Sequence, residues 1–342
     1  MPRMSHTLGT VLVDGVPYWR IDGRLLPVIA GGSTNDNLIT RADVESRIPD
    51  QVAREVIQQL PEASAAMNLF SRVPMTDRMQ RLPVLSALPV AYFVGGDTGL
   101  KRTTQMAWDG KQLIVEEIAA IVPVPDAVLA DSSFDVWAEV RPRLVEAIGR
   151  ALDDAIFFGT NKPATWPAAI VPGAVAASNT VTRGSTAAQG GIAEDINLTM
   201  GKVEDDGFDV NGFVTSRSYR QRFRGARGTD GQPLLDVALN TLYGEPIRYA
   251  LRGQWPSGAG AAELIAGDFT QGILGVRQDI TWKVSSDAVI QDDQGAIVFN
   301  TFQQDMTAIR VVFRCAWQVA NPMTFEEPNA AARYPFAVLE AA

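Results

Sequence analysis

Apolar residues recur at Phe134, Trp137, Val140, Leu144, Val145, Ile148, Leu152 and Ile156, the three-and-four spacing that lines one face of an α-helix. This predicts about seven turns of helix with one dry side. Ser132 with Asp135 three residues on forms a candidate capping box, and Gly159 suits the left-handed residue that ends a helix. Pro142 lacks the donor that the carbonyl of Ala138 needs and crowds that turn, which predicts a kink or a short first helix. Just before, the apolar run from Ile114 to Val124 reads as a long strand.

The rest of the chain changes period several times. Gly9 to Gly32 alternates around Asp14-Gly15 and Asp22-Gly23, two hairpin signals that predict a small β ribbon followed by a GGSTNDN linker. After Pro49, the positions Val52, Val56, Ile57 and Leu60 share one face of a short helix. Between Met75 and Gln112 two extended, proline-rich pieces flank a polar centre at Gly95 to Thr104. They predict a long hairpin with too few apolar residues to hold its own core. The prolines between Thr160 and Thr180 argue against helix there. A helix is expected from Ile192 to Asp206, a buried strand from Gly212 to Thr215, and a basic helix or loop from Arg217 to Arg227. Strands are then expected over Leu242–Leu251, Ala262–Ala266, Ile273–Val276, Ile280–Val284, Ile297–Thr301 and Thr307–Val319.

Composition narrows the function. The chain has 342 residues, 46% hydrophobic and 20% charged, which describes an ordinary folded protein with room for two or three lobes. Its apolar runs are too short and interrupted to span a bilayer, and the N-terminal stretch does not read as a secretory signal. The net charge of −9 opposes gripping phosphate backbones as a primary task. Cys315 is the sole cysteine, so disulfides within the chain and thiolate metal clusters are excluded. In the alternation from Ile309 to Val319 it reads as a buried structural thiol.

The single histidine, His6, lies far from any triad context, which removes Ser-His-Asp chemistry and multi-histidine metal sites. Carboxylate pairs stand at Glu116-Glu117, Asp153-Asp154, Asp205-Asp206, Asp292-Asp293 and Glu326-Glu327, but neighbours in sequence diverge in space and read as solvated surface. No phosphate-binding glycine motif occurs. No catalytic residue, cofactor site or metal site is therefore expected. Arg217, Arg220, Arg222, Arg224 and Arg227, interleaved with Tyr219 and Phe223, read as a salt-bridging surface between subunits in preference to a nucleic-acid strip.

Several segments, in order, resemble the major capsid protein family of tailed double-stranded-DNA bacteriophages, the Hong Kong 97-type fold also used by encapsulin compartments. They are Leu82-Pro-Val-Leu85 and Ala91-Tyr-Phe-Val94 before the glycine-rich tip, Ile114 to Leu129 with Asp131-Ser132, and Ala151 to Gly159. Farther on come Gly228-Thr-Asp-Gly-Gln-Pro-Leu-Leu235, Leu242-Tyr-Gly-Glu-Pro-Ile247, Gly267-Asp-Phe269, Asp305 to Arg310, Arg314, and Val319-Ala-Asn-Pro322 with Phe325. The resemblance covers roughly Ile48 to Pro328. It implies an α+β fold divided into an N-terminal arm with ribbon and linker (1–47), a helix and strand (48–74), an extended loop (75–112), a peripheral domain (113–190, spine helix about 133–158), an axial domain (191–275) and closing peripheral strands (276–342).

The resemblance further implies a non-catalytic subunit of hexamers and pentamers in an icosahedral shell around double-stranded DNA, assembled in the host cytoplasm, with no membrane. Portal, scaffolding and decoration proteins would be its partners, the scaffold being separate because the stretch before Ile48 is short. Phe93, Lys101, Met106 and Trp108 are expected to meet neighbouring subunits from the arm. Arg220, Arg224, Asp305, Arg310 and Arg314 are expected at ring contacts or in holding the peripheral strands. Arg310 and Arg314 read equally well as a solvated strand face. Some members cross-link a lysine to an asparagine, but no partner motif accompanies Lys101 or Lys111, so no cross-link is expected. The ribbon is expected to pair with a neighbour's sheet edge or arm. Two alternatives are an encapsulin-like compartment around cargo enzymes and an enzyme with a carboxylate site.

Overall fold

One long helix, several shorter ones and two principal sheets frame the described residues, and alternation and amphipathicity explain where they form. A computed structural model describes residues 64–91, 93, 103–131, 136–226, 241–251, 253–292 and 294–342, together with three strands between 10 and 27. Those strands, β1 (Thr10–Val13), β2 (Val16–Ile21) and β3 (Arg24–Pro27), form an antiparallel meander in the order β1-β2-β3, as the two Asp-Gly pairs predict. The helix expected after Pro49, the Ser132–Asp135 capping box and His6 lie outside the described residues. The chain divides into a smaller unit (Met1–Ser46, Val122–Ser133, Val284–Ile309) and a larger one (Arg47–Ile121, Phe134–Lys283, Arg310–Ala342).

In the larger unit, α1 (Ala65–Leu69) leads to β4 (Ser71–Pro74), and β5 (Met79–Ala87) pairs antiparallel with β6 (Ala107–Ile114). The strand β7 (Glu116–Pro125) follows; α2 (Asp126–Asp131) belongs to the smaller unit, and the larger one resumes with the long α3 (Val136–Asp153). On α3, Leu144, Val145, Ile148 and Leu152 are buried, the face that the sequence marks. The helix continues through Pro142, so the proline does not divide it. It then widens into a π-turn (Asp154–Phe158) that stops at Gly159, whose φ of 79° is left-handed.

Two sequence expectations fail here for identifiable reasons. A helix, α4 (Ile170–Ala176), forms despite Pro172. Pro172 sits in the first turn, where amide hydrogens have no partner within the helix, so its missing donor costs little. The segment from Ile114 to Leu129, which resembles the family's strand leading to the spine helix, is strand only as far as Pro125, because Asp126 opens α2 instead.

A six-stranded sheet joins β8 (Thr180–Thr182), β9 (Gly212–Thr215), β10 (Thr241–Leu242), β11 (Glu245–Tyr249), β12 (Ala262–Gly267) and β17 (Phe336–Glu340) in the order β10-β11-β9-β12-β17-β8. Helix α5 (Ile192–Asp205) covers it through Ala193, Ile196 and Val203, and the short α6 (Arg220–Gly225) contributes Phe223. A four-stranded sheet has the order β4-β13-β16-β7, with β13 (Gly272–Ser285) one continuous strand where two were expected. On β16 (Met306–Val319), Ile309, Val311, Phe313, Cys315 and Trp317 are buried on one face.

Phe70 joins an aromatic cluster in the larger unit. Its ring lies 4.6 Å from Trp317, 5.6 Å from Phe269, 5.9 Å from Phe157 and 6.4 Å from Phe336, tilted or edge-on contacts that add to the apolar burial. A side chain at Gly272 would run into Phe70 and Trp317, so this strand position requires glycine.

The smaller unit is built around the buried Thr301, whose hydroxyl donates to the Ser286 carbonyl (2.7 Å) and accepts from the Ala288 amide (2.6 Å). This fixes the hairpin of β14 (Val289–Gln291) and β15 (Ile297–Asn300). Asp305 adopts a left-handed φ of 48°, which aims its carbonyl at the Asp126 amide (2.8 Å), and Thr307 donates to the Asp126 carboxylate (2.6 Å). The start of α2 is secured by both bonds.

Candidate assembly surfaces

The β5–β6 hairpin carries little core of its own. Only Val84 on β5 and Leu113 on β6 are buried, while Trp108 is 62% exposed, Met106 44% and Phe93 fully exposed. A hairpin this thin is marginal in water unless its faces are covered. Its base is well fixed: Leu113 packs with Met75, Val115 and Ala316, Gln318 donates to the Gln112 carbonyl (3.0 Å), and Met323 donates through its amide to the Leu85 carbonyl (2.9 Å). Farther out, the Val90 amide donates to the Thr104 hydroxyl at 2.8 Å. Lys101 lies outside the described residues. The base is thus firm, while Met106 and Trp108 farther out are left uncovered.

A groove of about 580 Å³ runs between α3 and the start of β7. Trp166 donates to the Ile114 carbonyl (3.2 Å) and Thr165 to the Glu116 carboxylate (2.7 Å), which holds the loop after Gly159 against the strand. Glu146 pairs with Arg143 (3.4 Å) and Arg150 (3.3 Å) along the helix rim. The four-stranded sheet ends at β7, so the outer side of this strand has no paired neighbour among the described residues.

The arginines divide by role. Arg222 turns toward Glu263 (3.6 Å), which also binds Arg183 (2.7 Å) and accepts from the Tyr219 hydroxyl (3.0 Å). Arg220 lies over the Tyr249 ring at 5.4 Å, and Arg224 is exposed beside it. Sequence reasoning misses Glu263, because its arginine partners lie far off in the chain, at Arg183 and Arg222. Arg310 is exposed on β16, and Arg314 sits 3.7 Å from Glu117, so neither belongs to a buried network. In the smaller unit Asp305 is exposed, as are the apolar side chains of Val289, Ile297 and Phe302. Nothing in the sequence pattern sets these three apart from core strand residues.

Two of the carboxylate pairs overturn the solvated-surface expectation. Asp153 is 1% exposed and accepts from the Ser64 hydroxyl (2.6 Å) and the amides of Ala65 (2.8 Å) and Ala66 (3.0 Å), capping α1. Burial pushes its carboxyl up to about 6, against the lowering effect of those bonds. Asp206 is also buried and accepts from Asn179 (2.6 Å) and the Tyr334 amide (2.8 Å). Both carboxylates are occupied as clasps between distant segments. Burial likewise pushes the Cys315 thiol well above its ordinary range, so it is inert packing. Among the described residues no cluster of histidine, cysteine and carboxylate side chains is placed to hold a metal, and no helix is long and apolar enough to cross a membrane.

Known proteins share this arrangement. The major capsid protein of Staphylococcus phage 80alpha is 22% identical over 295 residues, covering 85% of this chain and 87% of the relative. A solved chain from Microbacterium phage Oxtober96 is 38% identical with a TM-score of 0.72, covering 89% of this chain and 99% of that one. Another, from Mycobacterium phage Cain, is 29% identical with a TM-score of 0.73, covering 89% and 98%. The fold is the Hong Kong 97-type capsid fold that the sequence resemblance implies. The model of the phage capsid family matches residues 47–328, a span that holds the thin hairpin, the long helix and most of both sheets, and the chain belongs to that family.

Proposed function

We infer that this chain is the major capsid protein of a tailed bacteriophage, a structural subunit whose copies assemble into an icosahedral shell. The observation that carries the reading is the exposed hairpin of Met106 and Trp108 on a firmly anchored base. Its missing core is supplied when a neighbouring copy covers it. Hexamers and pentamers are the rings that close such a shell from one repeated subunit. In this reading residues 75–112 form the extended loop, 113–190 and 276–342 the peripheral domain, and 191–275 the axial domain. Portal, scaffolding and decoration proteins join the shell, double-stranded DNA fills it without sequence-specific contact, and assembly takes place in the host cytoplasm. No catalytic step is needed.

Negative-stain electron microscopy with size-exclusion chromatography tests this, on the purified chain alone and with its neighbouring genes. Closed shells or free pentamers and hexamers are expected. A monodisperse small oligomer in every preparation would count against the reading.

The meander β1–β3 leaves β1 and β3 as edges, and an open edge is a template for another chain. In the assembled shell it pairs with a neighbour's sheet edge or arm. Removing residues 1–32 is expected to lower shell yield and melting temperature, and unchanged values for both would exclude the pairing.

A further inference from the structure

We propose that the open half of β13, from Arg277 to Lys283, takes up β1 of a neighbouring copy as an added parallel strand, so that the ribbon of one subunit is built into the four-stranded sheet of the next. The inference rests on the shell reading above and names the edge that the ribbon meets.

The receiving edge comes first. β4 accompanies β13 only from Ile273 to Val276, although β13 runs on to Ser285. The Val276 carbonyl still accepts from the Met75 amide (2.9 Å), and by the alternation of a strand the next peptide groups on that side belong to Gln278, Ile280 and Trp282. Among the described residues no strand pairs with them there, and the ribbon of the same copy forms a sheet of its own. The stretch holds no proline and spans about 23 Å, room for a further strand on an unprotected edge.

Register selects the strand that fits. Val13 and Val16 are partners across the tight connection of β1 and β2, so Val13 and Val11 bond inward, and Thr10 and Leu12 turn their peptide groups outward. The same count from Ile21 and Arg24 puts Leu25 and Pro27 on the outer side of β3, and Pro27 has no N–H to give. β1 is therefore the edge with both donors intact.

Charge and unmet donors give the third argument. Arg141, Arg277 and Lys283 stand against Asp279 at the open half of β13, three cations to one carboxylate. The Arg141 guanidinium lies 6.0 Å from the centre of the Trp282 ring, and Arg141 Nε and Trp282 Nε1 are both buried without an acceptor. Buried donors of this kind require a partner. Asp14 follows β1 in sequence, whereas β3 opens on Arg24. Laid parallel to β13, as β4 already is, β1 directs its acidic end toward Lys283, Arg141 and Trp282, and complementary charge favours it over β3.

The test is amide hydrogen exchange on assembled shells, read by mass spectrometry. In native shells the peptide holding Gln278 to Trp282 is expected to exchange at least about tenfold more slowly than in the dispersed subunit. Leu12→Pro removes an outward donor of β1 and none of the inward ones, so shells of this variant should lose that protection while the rest of the sheet exchanges as in the native chain. Native shells without the slowing, or Leu12→Pro shells that keep it in full, overturn the pairing and leave the capsid reading standing. Where Leu12→Pro yields no shells, the native chain decides. Shells grown from mixed isotope-labelled and unlabelled chains are treated with a carbodiimide, which should join Asp14 to Lys283 of a differently labelled copy. Products confined to like-labelled chains, or no such product, overturn the pairing. Failure of the native chain to form rings or shells under any condition removes the capsid reading, and this inference with it.

Discussion

Asp153→Ala is expected to lower the unfolding free energy of the subunit by about 3 kcal/mol at neutral pH, the range for removing one partner from a buried hydrogen-bonded set. The carboxylate accepts three bonds at the start of α1, and alanine would leave the Ser64 hydroxyl and the amides of Ala65 and Ala66 without a partner. Phe70, the centre of the aromatic cluster, ends the same helix, so the damage reaches the core. Asp153→Asn should be less severe yet still destabilising, because its amide nitrogen must face a backbone donor. The pH dependence has a definite sign. Burial raises this carboxyl to about 6 in the folded chain, above its ordinary value near 3.9 when unfolded. Its proton-linked contribution is therefore full below about pH 4 and lost as the pH rises through about 6. Chemical denaturation at pH 7 and pH 5 should show the native chain gaining on Asp153→Asn as the pH falls, by about 1 kcal/mol over that interval, with the full ~3 kcal/mol reached only below about pH 4. A gap that stays constant or narrows across that range would sink the assignment.

Trp108→Ala should separate folding from assembly. The side chain is 62% exposed in the subunit, so the isolated variant is expected to unfold within about 0.5 kcal/mol of the native chain. In the shell a central aromatic anchor contributes roughly 2–4 kcal/mol at each contact. One lost contact in every subunit then raises the concentration needed for assembly by roughly thirtyfold or more. Light scattering across a concentration series, beside a melting curve of the dispersed subunit, reads both quantities. Trp108→Phe should recover most of the loss. Particles of Trp108→Ala with unchanged yield and heat resistance would show that the arm is not covered through this residue.

Whether a feature is legible in the sequence depends on the distance along the chain over which it is decided. The dry face of α3 can be read because Leu144 to Ile156 repeat with the helix period and need no knowledge of what they pack against. The alternation around Cys315 is readable for the same reason. Pro172 misleads because proline's effect depends on whether it falls in the first turn or the interior, and the start of that helix at Ile170 carries no capping side chain. The strand β17 goes unpredicted because five residues hold too little pattern. Asp153 and Asp206 look like surface because their partners lie 89 and 27 residues away at Ser64 and Asn179. Arg222 looks like one charge in a basic strip until the fold sets Glu263 beside it. The groove is invisible to sequence altogether, since its walls come from separate stretches.

The position of β17 has a consequence for how the subunit is made. Phe336–Glu340 is the last described strand in the chain, yet it lies inside its sheet, antiparallel to β12 and parallel to β8. Phe336, Ala337, Val338 and Leu339 are fully buried there. During synthesis β8 and β12 emerge first and wait with a gap between them, which cannot close until the ribosome has passed residue 340. Any product that stops earlier keeps two raw sheet edges and an unfilled core, and cannot present the finished surface that a lattice of identical copies demands. A chain that ends before Phe336 thus lacks the strand that joins β8 to the rest of its sheet and leaves the core on both sides of that gap unfilled.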